Sequence, residues 1–509
     1  MSLTVNSVAL NSLPSVKHKK SKAIIQPDVS EKPLTMSRPS AKLLQVYFTG
    51  KVNKPETILG TANVQEREAI QAFGKQYVDF LEKAKTNLSA VHEILKMARA
   101  NGYKEFNPDE KVKPGDKVYF VNNDRAVVLS TIGNNPIASG VKIIGSHLDS
   151  PCITLKAKPL QDSEGFCIFK TMVHGGIKRN HWVNRHLALE GKVVKKDGTE
   201  VKINVGNKQN ENTFIIPDLA PHVESDKTKS TRGMEFDAEQ LNPVVALNTD
   251  MEGKISDYVE KILKEKYGID KNDLLNAELH LVPAENPRGV GFDEGLVGAY
   301  GHDDKSAVFA NLKAEVDLKN TPAFTTVSAF FGNEEIGSYN NYGAKSEFFG
   351  GVIGSLIENQ KGSFNENDMR RAMKKSLALS ADVSTAVDPI QPKHEEKTNA
   401  CRLGQGVIMK LQGWRNSIPE ATATVTNLFR NNDVKFQPFA YHQDMGGGAT
   451  IGVYLATNYN LDVVDIGIPI LSMHAPVEIA DKGDVYHLYK GMKAFMNSDH
   501  IKMPIKKPD

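Results

Sequence analysis

The chain has 509 residues, 40% of them hydrophobic and 24% charged, with a formal net charge of +2. That length suits two or three domains with sizeable cores, and no basic block interleaved with aromatics marks a nucleic-acid surface. No apolar run approaches the roughly 18 residues of a membrane span, and three scattered cysteines without CxxC spacing argue against a disulfide framework or a thiolate zinc site.

Residues 1–62 differ in character from the rest of the chain. Lys17 to Lys22 is basic, Ser and Pro are frequent, and no acidic residue precedes Asp28. This stretch is expected to be a disordered extension or a targeting or pro-segment. The chain reads as cytoplasmic, with the extension leaving a mitochondrial-type or vacuolar destination open. Order is expected from residue 63. Glu66 to Ala84 carries apolar residues at helical spacing, and Thr86 or Asn87 can cap a second helix that Gly102 ends. Lys117 to Val121, Ala126 to Ser130 and Val141 to Gly145 read as strands. The last leads into His147 and Asp149, whose period-two spacing points both side chains to one side of an extended backbone.

The character shifts over residues 156–288, where strand-like pieces dominate (Cys167 to Val173, His186 to Lys195, Glu200 to Val205) and one amphipathic helix comes after them (Ile255 to Tyr267). This is expected to be an inserted β-rich domain, splitting a catalytic domain into residues 63–155 and 289–503, with 504–509 a tail. After it, strand and helix alternate. Thr325 to Phe331 is a strand rich in β-branched and aromatic residues, and Asn340 to Ile357 reads as helical. Strands are further expected at Ser376 to Ser380, Gly406 to Gln412, Val434 to Ala440 and Asp462 to Ile466. Helices are expected at Glu366 to Lys375, Ala421 to Asn431, Ala449 to Leu455 and Lys482 to Asn497.

The chemistry sits at the carboxyl ends of the apolar strands: His147 with Asp149, Asp303 with Asp304, Glu334 with Glu335, Asp382, and His474. Open α/β sheets bind ligands in the crevice outside those ends, so positions far apart in the chain can converge. Adjacent carboxylates repel, and one stays protonated unless a cation is near. If a metal is present, Glu335 reads as a ligand and Glu334 as a general base. Imidazoles and carboxylates without cysteine suit a pair of zinc-like ions, which activate water and polarise a carbonyl.

His147-Leu148-Asp149-Ser150-Pro151, Asp303-Asp304, Asn333 to Ser338, Ala381-Asp382-Val383 and Leu471 to Ala475 resemble the M18 family of metallo-aminopeptidases, over roughly residues 66 to 500. Tyr300 to Asp304 and Gly175 to Lys178 are closer to the bacterial type than to the eukaryotic aspartyl-aminopeptidase type. The resemblance implies a zinc-exopeptidase (phosphorylase/hydrolase-like) three-layer α/β catalytic domain with an inserted β-rich dimerisation domain. It further implies two Zn2+ per subunit, with Co2+ or Mn2+ as substitutes: His147 and Asp382 on one, Glu335 and His474 on the other, Asp303 bridging. Glu334 would be the general base, and Asp149 would orient His147 from outside the ligand set. Short peptides would be the substrates, and the assembly a homo-oligomer, a dodecamer built from dimers.

In the eukaryotic branch a histidine from a neighbouring subunit reaches the active site. An ungapped match puts Asn180 there, with His181 beside it, and either or neither takes that role. Asp444, before the expected helix at Ala449, is a candidate pocket residue. Two rival readings stand beside the aminopeptidase: an N-acyl amino acid deacylase using the same ligand chemistry, and a non-catalytic assembly protein.

Overall fold

The computed structural model describes residues 56–220, 237–247, 252–396, 398–411, 417–442 and 448–504. Most of the N-terminal extension and Asp444 lie outside them. At the start of the described chain, Ile58–Thr61 is a short helix, and Val64–Lys83 comes next with Asn63 as its cap, the Asn63 side chain accepting from the Glu66 N–H at 2.9 Å. Thr86 and Ser89 form a reciprocal capping box on Asn87–Ala100, satisfying amides that a helix start otherwise leaves open.

A nine-stranded sheet carries the fold. Its spatial order is Lys104–Glu105, Lys117–Asn122, Ala126–Thr131, Thr326–Phe331, Lys142–His147, Leu377–Ala381, Asp462–Gly467, Val407–Lys410 and Phe436–Phe439. The three central strands are parallel and buried along their whole lengths. That suits their unbroken apolar character, since both faces of a parallel sheet are covered. Alternation divides them between two cores. Ile144, Phe330, Leu377 and Leu379 pack with the helices Val64–Lys83, Asn87–Ala100, His302–Val316, Pro419–Asn431 and Lys482–Asn497 on one face. Ile143, Ala329, Phe331 and Ala378 pack with Phe348–Lys361, Glu366–Lys375 and Ile451–Tyr459 on the other. Helix, sheet, helix: the architecture is the three-layer α/β arrangement expected.

Register decides the site. Phe331 lies beside His147, and Gly145 beside Ser380. The turns after Phe331 and Ala381 therefore open next to the end of the central strand. A second, five-stranded sheet runs Arg288–Val290, Leu296–Ala299, Glu478–Asp481, Pro469–Leu471 and Ser384–Thr385. It brings the segments after Ala299 and Leu471 to the same edge.

Residues 152–283 supply a third sheet, antiparallel throughout, in the order Glu200–Val205, Leu187–Val194, Ala277–Pro283, Cys152–Ser163, Phe166–His174, Val244–Ala246. Its 12-residue strand Cys152–Ser163 was not anticipated. Pro159 and alternating lysines disguise it, and the ladder shifts register between Leu155 and Leu160, where a bulge tolerates a residue without an N–H. The helical reading of Asn340 to Ile357 is corrected: the helix is Phe348–Lys361, and the residues before it form a loop. There the Gly332 N–H donates to the Tyr342 carbonyl at 3.0 Å, and Gly343 lies against the Ser338 backbone. Backbone contacts five and ten residues away outcompete the helical spacing.

Candidate active site

His147 ends the central strand and is 1% exposed. Its Nε2 faces Asp303 Oδ1 at 3.2 Å and Asp382 Oδ1 at 3.8 Å, while Nδ1 faces Asp149 Oδ1 at 3.4 Å. The His474 Nε2 lies 3.3 Å from the other Asp303 oxygen and 3.5 Å from Glu335 Oε2. Asp303 thus meets both imidazoles, one with each oxygen. His147, Asp303, Asp304 and Asp382 form one group whose ligating atoms lie within 4.8 Å of one another, Asp303, Glu335 and His474 form a second, and His147, Glu334 and Glu335 form a third. Asp303 is common to the first two.

The backbone that delivers these groups is specialised. Gly301, at φ +79, starts a helix in which Asp303 and Asp304 are not helical, and the peptide between them is cis. Neither aspartate caps that helix. Asn333 (φ 56) and Gly337 (φ 91) are left-handed on either side of the short turn Glu334–Ile336, and Asp149 fixes that turn. Its Oδ1 accepts from the Glu334 N–H at 2.9 Å and its Oδ2 from the Glu335 N–H at 3.1 Å.

A carboxylate outside the ligand set so orients a histidine and both glutamates. The sequence reading assigned Asp149 only the first of these tasks. It also missed His174, whose Nε2 lies 3.1 Å from Asp149 Oδ2, and the Gly176 carbonyl, which accepts from the His474 Nδ1–H at 2.7 Å. Both come from the end of a strand of the third sheet and the loop after it, and no local pattern marks them. That bond leaves Nε2 of His474 as the atom free to ligate. Lys410 was likewise missed: it is 3% exposed, donates to the Val383 carbonyl at 2.9 Å, and lies 3.6 Å from Asp382 Oδ2.

Electrostatics follow from burial and mutual proximity. Burial would raise the Asp303 carboxyl, but His147 and His474 outweigh it and hold it well below the usual carboxylate range. Asp304 is pushed far up by burial, with Asp382 and Asp303 adding to it. Burial, then the neighbouring aspartates, push Glu334 up to about 7, and a bound cation would draw it down again. Burial works against charge on His474, yet Asp303, Glu335 and Glu478 hold it up at about 10. Asp303 Oδ1 and Glu335 Oε1 are buried with no hydrogen-bond partner. Buried acceptors normally have one, so a set of oxygens and ring nitrogens converging this way fits a divalent cation with N/O preference.

Asn180 and His181 lie in the short turn Arg179–His181. His181 is exposed, whereas Asn180 is partly buried with an unpartnered Oδ1. Neither belongs to the groups of metal-ligating atoms found among the described residues.

A three-layer α/β sheet with histidines and carboxylates gathered at its strand ends defines a zinc-exopeptidase fold with a metal-binding centre. The family model described as Aminopeptidase I zinc metalloprotease (M18) matches residues 80–496, and the chain belongs to the M18 family of zinc metallo-aminopeptidases, hydrolases of N-terminal peptide bonds. A probable M18 family aminopeptidase 1 from Clostridium acetobutylicum is 33% identical over 450 residues, spanning 85% of this chain and 96% of that one. The crystal structure of an M18 aminopeptidase from Thermotoga maritima superposes with a TM-score of 0.82 at 32% identity, covering 87% and 99% of the two chains. The yeast mApe1 dodecamer has the same fold, with a TM-score of 0.70 at 23% identity over 85% of this chain and 97% of that one.

Proposed function

We propose that the chain is a two-zinc aminopeptidase that removes the N-terminal residue from short peptides. The observation that carries this is Asp303, whose two oxygens face the imidazoles of two separate ligand groups. His147 and Asp382 would hold one zinc, Glu335 and His474 the other, and Asp303 both. When bound, zinc acidifies water and polarises the scissile carbonyl.

The remaining work falls to the chain's own residues. Asp149 holds the Glu334 backbone in place, leaving the carboxylate to take a proton from the attacking water and return it to the leaving amine. Lys410 balances Asp382, keeping that carboxylate ionised.

We read residues 156–288 as an inserted oligomerisation domain. The fold shared with the mApe1 dodecamer supports a homo-oligomer of that kind, in which an enclosed chamber would admit only short peptides. We assign contact with a neighbouring subunit's substrate to His181 rather than Asn180, because His181 is exposed. The deciding experiment assays aminoacyl and N-acyl substrates on protein of known metal content. Two zinc ions per chain with aminopeptidase turnover support the reading; one ion, or N-acyl hydrolysis alone, refutes it.

A further inference from the structure

Asp303 and His474 come from different segments, yet both must keep their side chains on the same small volume. Their backbones share one partner. Glu478, 1% exposed, accepts from the Asp303 N–H with Oε2 at 3.0 Å and from the His474 N–H with Oε1 at 2.7 Å. It opens the strand Glu478–Asp481, which lies between Leu296–Ala299 and Pro469–Leu471, with Ala299 directly opposite Glu478. Both ligand segments therefore leave from the strands flanking this one glutamate. His474 itself is in the left-handed region at φ 63, which is uncommon for residues other than glycine.

We infer that Glu478 is a positioning residue of the zinc site, clamping the bridging aspartate and the histidine to each other through their backbone amides. The inference rests on the ligand roles proposed above for Asp303 and His474. Glu478 is absent from both groups of converging ligand atoms that include Asp303, and its two oxygens are occupied by the amides. Two amides on separate segments need two acceptor oxygens at a fixed spacing. A carboxylate supplies them, whereas a side-chain amide offers one oxygen and turns a donor toward the second N–H. Asp149 uses the same device on Glu334 and Glu335, so Glu335 and His474, proposed to share one zinc, are each held by a carboxylate acting on backbone.

The test titrates zinc into the metal-free full-length protein against a competing chelator, for wild type, Glu478→Gln and Glu478→Ala, with thermal unfolding of each metal-free protein alongside. Loss of such a partner typically weakens metal affinity by about 10–100-fold. We expect Glu478→Gln near the lower figure and Glu478→Ala near the upper. In the zinc-loaded near-isosteric variant, kcat should fall more than KM changes. Unchanged zinc affinity in Glu478→Gln, with or without a drop in metal-free stability, overturns the inference, and that variant decides the matter if Glu478→Ala does not fold. Wild-type protein that binds no zinc would instead remove the ligand assignment itself.

Discussion

Two pairs of adjacent acids stand at the metal site, and they are not alike. Asp303 and Asp304 are 4% and 0% exposed, in a segment held by Glu478 and by the Ser150 hydroxyl, which bonds the Asp303 carbonyl and receives Lys305 Nζ at 2.6 Å. Glu334 and Glu335 sit in a short turn with left-handed residues on either side, partly open, anchored by amides to Asp149. Doubling a carboxylate at a strand end gives a holding group when both members are sealed in. On the roles proposed above, the partly open pair sets a proton carrier beside a holding group.

The sharpest way to break that comparison is Glu334→Gln. If Glu334 moves the proton, turnover falls by about 10²–10⁴-fold while zinc content by elemental analysis stays at the wild-type level. Near-normal turnover would return Glu334 to a spectator role. Next is Asp303→Asn, which removes the charge shared by two of the three groups of converging ligand atoms; at least one zinc should be lost on dialysis, with activity falling alongside. Full occupancy would contradict the bridging assignment.

Asp304→Asn should be far milder. Asp304 Oδ2 accepts the His147 N–H at 3.1 Å, a bond that an amide oxygen also makes, and burial already opposes its charge. We expect zinc content unchanged and activity within about tenfold, since a preserved hydrogen bond to a neutral group is worth roughly 1 kcal/mol. A loss as deep as that of Asp303→Asn would mean that Asp304 is itself a ligand.

The smallest effect concerns a buried acid without a metal. Glu315 accepts from the hydroxyls of Tyr103, Thr131, Thr326 and Ser328 at 2.7 to 3.0 Å. Burial still raises it above its ordinary 4.5. A carboxyl raised on folding binds its proton more tightly in the folded chain, so it costs stability as pH rises from that ordinary value through the folded one. Glu315→Gln should therefore gain on wild type as pH rises across that window, in denaturant unfolding of the metal-free protein. A pH-independent difference would show that Glu315 keeps its ordinary titration.

Much of this site was legible because its chemistry lies where apolar strands stop. His147, Asp303, Glu335, Asp382 and His474 each come after a run that could only be core, and such a run says which end the crevice occupies. The layers were legible for the same reason. Other features answer to contacts far away in the chain. Glu478 heads a short strand and resembles any edge-strand acid until Asp303 and His474 are seen beside it. His174 and Gly176 matter only through Asp149 and His474. Asn340 to Glu347 has helical spacing but folds back on Gly332. Local patterns carry burial and period; they carry no partner.

The order of the ligands along the chain has a consequence during synthesis. Of the proposed ligands His474 comes last, ahead of the strand Glu478–Asp481 and the helix Lys482–Asn497. Asp462–Gly467, which pairs with Leu377–Ala381 ahead of Asp382, is made late as well. No set of neighbouring residues in the nascent polypeptide can assemble the centre, because its contacts are non-local and wait for the sheet to close. On the proposed ligand assignment, a growing chain on the ribosome is expected to be inert toward peptides until His474 has emerged.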